Sequence, residues 1–212
     1  AWRKTAVAIG LTAPTRTICC YPTEPGFITE SRRLIQAELA ALEGDTPIRV
    51  LYSAHGLPKK IVAGGDPYQA QVEMTAAAIA AGIDDARVEN VVCFQSRVGP
   101  LEWIGPATED EIARAGEDGR RIVIFPLAFV SEHSETLVEL DIEYGELAVE
   151  KNVPDYRRVA TVGAGQAFID GLARTVRDVL GDAPALAAAG GRRICASKWG
   201  RCPCQLEPPR DG

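Results

Sequence analysis

The chain has 212 residues, of which 46% are hydrophobic and 25% charged, a composition typical of a globular α/β protein. Its formal net charge is −6 and its sequence pI is about 5.1, which argues against a nucleic-acid partner because phosphate binding needs clustered lysines and arginines. No apolar run approaches the ~18 residues of a membrane-spanning helix, so no transmembrane segment is predicted.

The first 45 residues are predicted to be irregular up to residue 27, where Pro14, Pro22 and Pro25 interrupt the pattern. An amphipathic helix is predicted over about 28–42. The chain begins Ala-Trp-Arg, with neither an initiator methionine nor a signal-peptide pattern. We therefore expect a fragment or a processed chain.

Apolar, β-branched runs alternate with helical patterns between residues 46 and 181. Such alternation is typical of parallel strands joined by helical crossovers and predicts a four-stranded, doubly wound α/β sheet. The predicted strands are 48–54, 88–96, 121–130 and, as the weakest pattern, 157–164. The predicted helices are 68–82, 108–116 with Thr108 as N-cap, 134–150 and 166–180. Residues 182–212 are predicted to be an Ala/Gly-rich linker and a tail without core-forming periodicity.

Three loops are expected at one rim of this sheet, since ligands of doubly wound folds bind beyond the carboxyl ends of the strands. The first loop contains His55, the second Trp103 and the third His133. Alone, His55 could be a loop histidine bonded to backbone groups. Together on one rim, the two histidines of the chain become candidate ligands or bases.

Three glutamates follow His133 at intervals of four residues: Glu135, Glu139 and Glu143. A π-bulge would bring them closer to alignment than a regular α-helix does. Such a row suits either binding of a divalent cation through oxygen ligands or proton transfer with the histidine. The alternative is a solvated acidic face. The residues expected in the core on the opposite face are Leu137, Leu140, Tyr144 and Leu147.

Trp103 lies between a Val-Gly-Pro and an Ile-Gly-Pro turn. Held by rigid turns, it could form an apolar wall for a flat ligand or be a partly exposed packing residue. The chain has no P-loop and no dinucleotide-binding glycine pattern, and Ser53 is not part of a Gly-x-Ser-x-Gly motif.

Six cysteines are too sparse for a disulfide framework in a chain of this length, and three of them lie within ten residues near the C-terminus. This pattern favours a reduced, cytosolic protein with a metal or cluster site. Cys93 falls within a predicted strand and is expected in the core.

Four motifs, in order and at consistent spacing, together resemble the C-terminal half of a ferrochelatase, the enzyme that inserts ferrous iron into a porphyrin to make haem. They are LYSAHGLP, GDPY, FQSRVGPLEWIGP and SEHSETLVELDIEY. The resemblance covers about 48–181, and residues 1–45 are similar to the end of the N-terminal half and its connecting helix. It implies a Rossmann-like, four-stranded, doubly wound domain over 46–181, one of two such domains, with 182–212 as linker and tail.

The resemblance also implies roles for seven residues. The catalytic groups would be His55, His133 and Glu135. The metal would contact His55, Glu135, Glu139 and Glu143. The porphyrin would contact Trp103 and Ser53.

Cys195, Cys202 and Cys204 resemble the C-terminal cysteine trio with which animal and some bacterial ferrochelatases hold a [2Fe–2S] cluster. The spacing here is C-x6-C-x-C, whereas the animal pattern is C-x2-C-x4-C. A cluster, a zinc site and free reduced thiols all remain open. Cys19 and Cys20 either donate a fourth ligand or pack in the interior.

The expected function is therefore insertion of ferrous iron into protoporphyrin IX as part of a two-domain enzyme. The alternatives are a non-catalytic half-domain that binds metal or haem, and a related porphyrin or cobalt chelatase. The expected partners are the porphyrin, ferrous iron and the N-terminal half, with a homodimer left open. A cytoplasmic location is expected, and peripheral attachment to the inner membrane is left open.

Overall fold

The computed structural model describes residues 2–180, 186–191 and 193–205. It contains six strands: β1 (Thr17–Ile18), β2 (Ile48–His55), β3 (Val88–Gln95), β4 (Arg121–Pro126), β5 (Tyr156–Arg158) and β6 (Leu186–Ala187). Four of them form one sheet in the order β3-β2-β4-β5, and every pairing in it is parallel. The predicted four-stranded parallel sheet is confirmed.

Seven α-helices and one π-helix occur among the described residues. They are α1 (Trp2–Ala8), α2 (Pro25–Ala40), α3 (Lys59–Ala63), α4 (Tyr68–Ala80), α5 (Thr108–Glu117), the π-helix (Glu135–Glu143), α6 (Tyr144–Glu150) and α7 (Gln166–Leu180). A short 3-10 turn covers Pro203–Gln205. None of the helices in these ranges has the length and apolar character needed to cross a membrane.

Two apolar cores lie on the two faces of the sheet. One face packs against α2, α4 and α7 around residues such as Ile35, Ile79 and Phe168. The other packs against α5, the π-helix and α6 around Ile112 and Leu140. Each fully buried aliphatic side chain of this kind contributes roughly 1.5–3 kcal/mol relative to an exposed one. The doubly wound arrangement predicted from the alternating pattern is thus confirmed.

The central strand β2 is buried from Ile48 to Ala54, and only its last residue, His55, is exposed. A strand covered on both faces is expected to be mostly apolar. β2 follows this pattern except at the buried Ser53 and at the buried Arg49, whose charge is paired with Glu89 and Asp118. Burial ends at the rim of the sheet. His55, the last residue of β2, therefore lies at the edge where ligands of such folds bind.

Several predicted elements differ from the structure. Residues 1–27 are not all irregular, because α1 is helical. The third predicted strand stops at Pro126, where the Phe129 amide bonds back to the Pro126 carbonyl in a turn. Thr108 is the first residue of α5 rather than its N-cap, and its hydroxyl points inward to Ser53 and Cys93.

The predicted linker contains a short strand. Leu186–Ala187 pairs in parallel with Thr17–Ile18, so β6 returns the chain to the N-terminal segment. The neighbouring linker residues 181–185, and residues 206–212 of the tail, lie outside the described part of the chain. The pairing of β6 with β1 places the cysteines of the tail beside Cys19 and Cys20.

Candidate functional site

The site forms where the chain changes direction across the sheet. From β2 the chain crosses to β3 on one side and later to β4 on the other. The crevice between the carboxyl ends of β2 and β4 is the position at which such folds bind ligands. His55 ends β2, and the segment after β4 leads through His133 into the π-helix.

An open cavity of about 670 Å³ lies at this rim, between the carboxyl ends of β2 and β3 and the π-helix. Five of the predicted site residues line it: His55, Trp103, Glu135, Glu139 and Glu143. The three loops expected at the rim therefore do converge. Val98 and Val138 add apolar surface to the lining, so the cavity presents carboxylates on one side and an aromatic and aliphatic wall on another.

His55 is held in one tautomer by its neighbour. Its Nδ1 lies 2.8 Å from the Gly56 carbonyl oxygen. A carbonyl can only accept, so Nδ1 carries the hydrogen of the neutral ring and Nε2 keeps its lone pair. Nε2 lies 3.7 Å from Glu135 Oε2, and the side chain is 46% exposed. The imidazole thus presents a basic nitrogen to the cavity.

Glu135 lies between the two histidines. One carboxylate oxygen is 3.7 Å from His55 Nε2 and the other is 3.9 Å from His133 Nδ1. His133 stacks on Phe129 with ring centroids 5.7 Å apart, and its Nδ1 accepts the Glu135 amide at 3.3 Å. One carboxylate therefore lies between two imidazoles and can form an ion pair with either ring once that ring is protonated.

Glu139 is enclosed by donors that the sequence did not reveal as site residues. Its oxygens accept from the Ser96 amide (2.7 Å), the Ser96 hydroxyl (2.5 Å), Gln95 Nε2 (3.0 Å) and the Tyr144 hydroxyl (2.9 Å). The polar pair Gln95-Ser96 at the end of an apolar strand was the available signal. Tyr144 was assigned to the core, and it is 96% buried as such, but its hydroxyl reaches the acid.

Tyr144 stays protonated in this setting. Burial raises the pKa of its hydroxyl far above the usual range, and the negative charges of Glu109 and Glu139 raise it further. The hydroxyl therefore keeps its hydrogen, which it donates to Glu139.

Two acids close to the row of glutamates, Glu132 and Asp141, do not line the cavity. Glu132 accepts from the Thr161 amide at 3.0 Å and from the Thr136 hydroxyl at 2.7 Å, and it pairs with Arg158. Asp141 pairs with the same arginine at 2.6 Å. Burial alone would raise the pKa of Glu132, but these donors and the arginine outweigh it and lower that pKa overall. These two acids anchor the π-helix to β5.

Ser53 does not line the cavity. It is fully buried, and its hydroxyl donates to Gln95 Oε1 at 2.8 Å. The sequence predicted that Ser53 contacts the porphyrin directly. In the structure its hydroxyl instead orients the side chain of Gln95. Trp103 forms an isolated bridge with Pro58, and its ring lies against Gly56. It stands at the edge of the cavity as a wall residue should.

Five cysteines gather at a second place, beside the β1–β6 pair. Cys19 Sγ lies 3.0 Å from Cys204 Sγ and 3.4 Å from Cys20 Sγ. Cys202 lies beside both Cys195 and Cys204. Burial raises the pKa of Cys19 to about 11 and that of Cys204 to about 12, so these groups are thiols here. Within the described ranges, no three or more His, Cys, Asp or Glu side chains are arranged as ligands of one metal ion.

Comparison with known proteins shows similarity to one family. The family model described as ferrochelatase matches residues 1–180. A ferrochelatase of Caulobacter vibrioides is 50% identical over 205 residues, which cover 97% of this chain and 58% of that relative. The ferrochelatase of Phenylobacterium zucineum is 47% identical over 190 residues, covering 90% and 54%, and that of Rickettsia felis is 42% identical over 193 residues, covering 90% and 55%. The chain spans a little over half the length of the curated relatives it matches.

Proposed function

The chain belongs to the ferrochelatase family, and on this premise we propose that it is part of an enzyme that inserts ferrous iron into protoporphyrin IX to give haem. The observation that carries the proposal is the Glu135 carboxylate between two imidazoles, 3.7 Å and 3.9 Å away, at a cavity walled by Trp103. Insertion must bring in a dication and remove two pyrrole protons. The site offers neutral nitrogen bases and carboxylates for both tasks.

His55 is the proposed proton acceptor. Its Nε2 lone pair faces the cavity, because the Gly56 carbonyl binds the hydrogen on Nδ1. A pyrrole N–H placed against Nε2 would pass its proton to the ring. The Glu135 carboxylate would then stabilise the resulting imidazolium, as a nearby opposite charge does.

Glu135 and His133 are the proposed groups that meet the iron, together with the exposed Glu143. His55 would contact the iron only before it takes up a proton, because both roles use the Nε2 lone pair. Nitrogen and oxygen donors of this kind suit a borderline divalent cation. Trp103 would lie against the macrocycle as an apolar wall. Binding along the rest of the ring would supply the distortion that exposes the pyrrole lone pairs.

The upstream part of the enzyme is the proposed partner of this chain. Ligand sites usually bury most of their ligand, whereas the cavity beside His55 is open to solvent on one side. We expect the missing N-terminal half to supply the opposite wall. Homodimerisation and attachment to the inner-membrane surface complete the proposal for a cytoplasmic enzyme, and both are testable by sedimentation and vesicle flotation.

The five clustered cysteines support a [2Fe–2S] cluster as part of this proposal. Thiolates are the expected ligands, and four thiols from two distant segments meet here: Cys19, Cys195, Cys202 and Cys204. Cys19 and Cys204, whose sulfurs lie 3.0 Å apart, would be two of the residues that hold the cluster. A bound cluster would cross-link the tail to the N-terminal segment.

One alternative is favoured by a specific observation. The chain covers only 58% of its Caulobacter relative, so alone it could be a half-domain that binds metal or haem without inserting metal. A chelatase for another metal or another tetrapyrrole is the second alternative.

The test compares this chain with the same chain carrying its native upstream sequence. Zinc or anaerobic ferrous iron is offered with protoporphyrin IX or coproporphyrin III, and insertion is followed by visible absorption and fluorescence. We expect the extended protein to metallate protoporphyrin. Binding of haem without insertion by either protein would favour the half-domain, and preference for coproporphyrin would change the assigned substrate.

A further inference from the structure

We propose that Glu139 is a positioning residue, which holds the loop carrying Trp103 against the sheet, and that it does not bind the metal. This inference deepens the proposed function and rests on it. It revises the sequence-based expectation that three successive glutamates form one row of metal ligands.

The hydrogen bonds of Glu139 leave it little capacity for a metal. A carboxylate offers about four lone-pair sites. Oε1 accepts from the Ser96 amide at 2.7 Å and from the Tyr144 hydroxyl at 2.9 Å. Oε2 accepts from the Ser96 hydroxyl at 2.5 Å and from Gln95 Nε2 at 3.0 Å. A cation could bind only by displacing donors that already occupy all four sites.

These donors are fixed in place. Gln95 is fully buried, and its amide oxygen is already occupied by the Ser53 hydroxyl. Tyr144 is 4% exposed, so its hydroxyl cannot turn to water. The Ser96 N–H belongs to the backbone. Loss of the Glu139 carboxylate would leave several of these donors unpaired, which costs more than the bonds themselves contribute.

The contacts of Glu139 fall on a strained turn. Ser96 has a φ of 55°, in the left-handed region that non-glycine residues rarely adopt. This conformation ends β3 and aims both the amide and the hydroxyl of Ser96 at one carboxylate. Glu139 therefore stabilises a backbone conformation that Ser96 would otherwise leave.

The strained turn starts the loop that forms the cavity wall. The segment 97–107 follows it and contains Trp103. The Gly56 amide donates to the Gln95 carbonyl at 2.7 Å, so the end of β3 also holds the loop that begins after His55. Glu139 thus fixes the start of the segment that leads to the tryptophan wall, while the bridge between Pro58 and Trp103 holds the tryptophan itself against the loop after His55.

The neighbouring acids differ from Glu139 in this respect. Glu135 receives from Ser96 only a long contact of 3.4 Å and faces the histidines. Glu143 is exposed, and among the described residues it has no hydrogen-bond or ion-pair partner. These two carboxylates keep lone pairs for a cation.

The test uses the chain with its native upstream sequence and two independent readouts. Amide hydrogen exchange of the segment 94–104 reports the anchor without turnover. Separate KM values for zinc and for protoporphyrin report which substrate depends on each acid. The variants are Glu139→Gln, Glu135→Gln and Tyr144→Phe, and Glu146→Gln is the control at an exposed position after the π-helix.

Glu139→Gln is expected to speed exchange of 94–104 at least about tenfold and to raise the KM for protoporphyrin, with the KM for zinc within about twofold of the unmodified protein. Tyr144→Phe should shift the same two values less, since it removes one donor of four. Glu135→Gln should raise the KM for zinc and leave exchange unchanged, and Glu146→Gln should change neither.

A rise in the KM for zinc in Glu139→Gln comparable to that in Glu135→Gln would overturn the inference, whatever the exchange shows. Should Glu139→Gln not fold, Tyr144→Phe and Ser96→Ala decide instead: unchanged exchange and unchanged porphyrin KM in both would overturn it. If the unmodified extended protein inserts no metal, the chelatase proposal is rejected. The exchange measurement then still tests whether Glu139 holds the segment 94–104 in place.

Discussion

At the scale of single residues, hydrogen bonds to neighbouring groups determine which site atoms are free to bind a proton or a metal. The Gly56 carbonyl determines which nitrogen of His55 is basic, and Glu135 is shared by two imidazoles. Glu139 stands four residues further along the π-helix, yet its oxygens are committed to Gln95, Ser96 and Tyr144. Identical side chains in one row therefore have different chemistry.

The sequence predicted five residues that line the cavity. It did not predict the hydrogen-bond donors around Glu139, which make that glutamate differ from Glu135 and Glu143. His55, Trp103, Glu135, Glu139 and Glu143 were all predicted, and all five line the cavity. Their partners were missed because they depend on how β3 meets the π-helix. A tyrosine on the apolar face of a helix, such as Tyr144, is predicted to be a core residue whether or not its hydroxyl bonds to an acid.

Gly56→Ala should damage both stability and the cavity wall. A Cβ at this position would lie 2.8 Å from the Gln95 carbonyl oxygen and 3.3 Å from the Trp103 ring, and the backbone oxygen cannot move aside easily. Overpacking of this kind costs about 1–3 kcal/mol of unfolding free energy, measurable by urea denaturation. The control is Gly145→Ala, where a Cβ meets nothing within 4 Å inside a helix, and a gain of about 0.5–1 kcal/mol is expected. Equal stability of the two variants would contradict this reading of Gly56.

At the scale of elements, the alternating pattern predicted the strands that matter most within a residue or two. β2 and β3 both begin where expected. β2 is covered on both faces and is mostly apolar, whereas β3 is an edge strand whose burial increases toward its carboxyl end. The predicted boundaries are wrong where contacts with distant parts of the chain determine the local structure. Thr108 fails as a cap because its hydroxyl is engaged by Ser53 and Cys93, and two-residue strands such as β6 are too short to leave a pattern.

The π-helix is the element on which the site depends. Nine residues, Glu135–Glu143, take this geometry before the chain becomes α-helical. Sequence analysis noted that a π-distortion would align the glutamates but could not predict that it occurs. Arg158 on β5 holds the outer side of this helix through Glu132 and Asp141, so the inner side remains turned to the cavity.

The attachment of the π-helix should weaken in acid. The folded protein lowers the pKa of Glu132 below its ordinary 4.5, so folding stabilises the charged form. This contribution is present above about pH 4.5 and is lost as the pH falls through the lowered value. Urea midpoints between pH 3 and pH 7 should therefore decline at the acid end less steeply in Glu132→Gln than in the unmodified protein. The side chain is 36% exposed, so we expect a small effect. Identical slopes in the two proteins would contradict the assignment.

At the scale of the whole molecule, the chain joins two sites that are distant in sequence. The cavity at the rim uses β2, β3 and the π-helix, whereas the cysteines connect the start of the chain to its end across the β1–β6 pair. The sequence predicted the trio Cys195, Cys202 and Cys204 as a unit. It left the role of Cys19 and Cys20 open, since only the fold brings residues 19 and 204 together.

The cysteine cluster gives a direct prediction. Cys19→Ser and Cys204→Ser should each abolish the visible absorption and the acid-labile sulfide of a [2Fe–2S] cluster in anaerobically purified protein. Cys20→Ser is the matched control, because its sulfur adjoins Cys19 but is not the one at 3.0 Å from Cys204. Loss in Cys20→Ser with retention in Cys19→Ser would reverse the choice of ligand. Zinc without iron or sulfide in the unmodified protein would reject the cluster.

The central claim is that His55, with its Nε2 free and Glu135 beside it, accepts a proton released when iron enters the porphyrin. The most direct measurement is metallation of protoporphyrin IX by the chain with its native upstream sequence, compared with its His55→Ala variant under the same conditions. We predict that the unmodified protein inserts the metal and that His55→Ala is slower by roughly 10²–10⁴-fold, the usual contribution of a general base, while still binding porphyrin. Undiminished insertion by a folded His55→Ala protein would contradict the account.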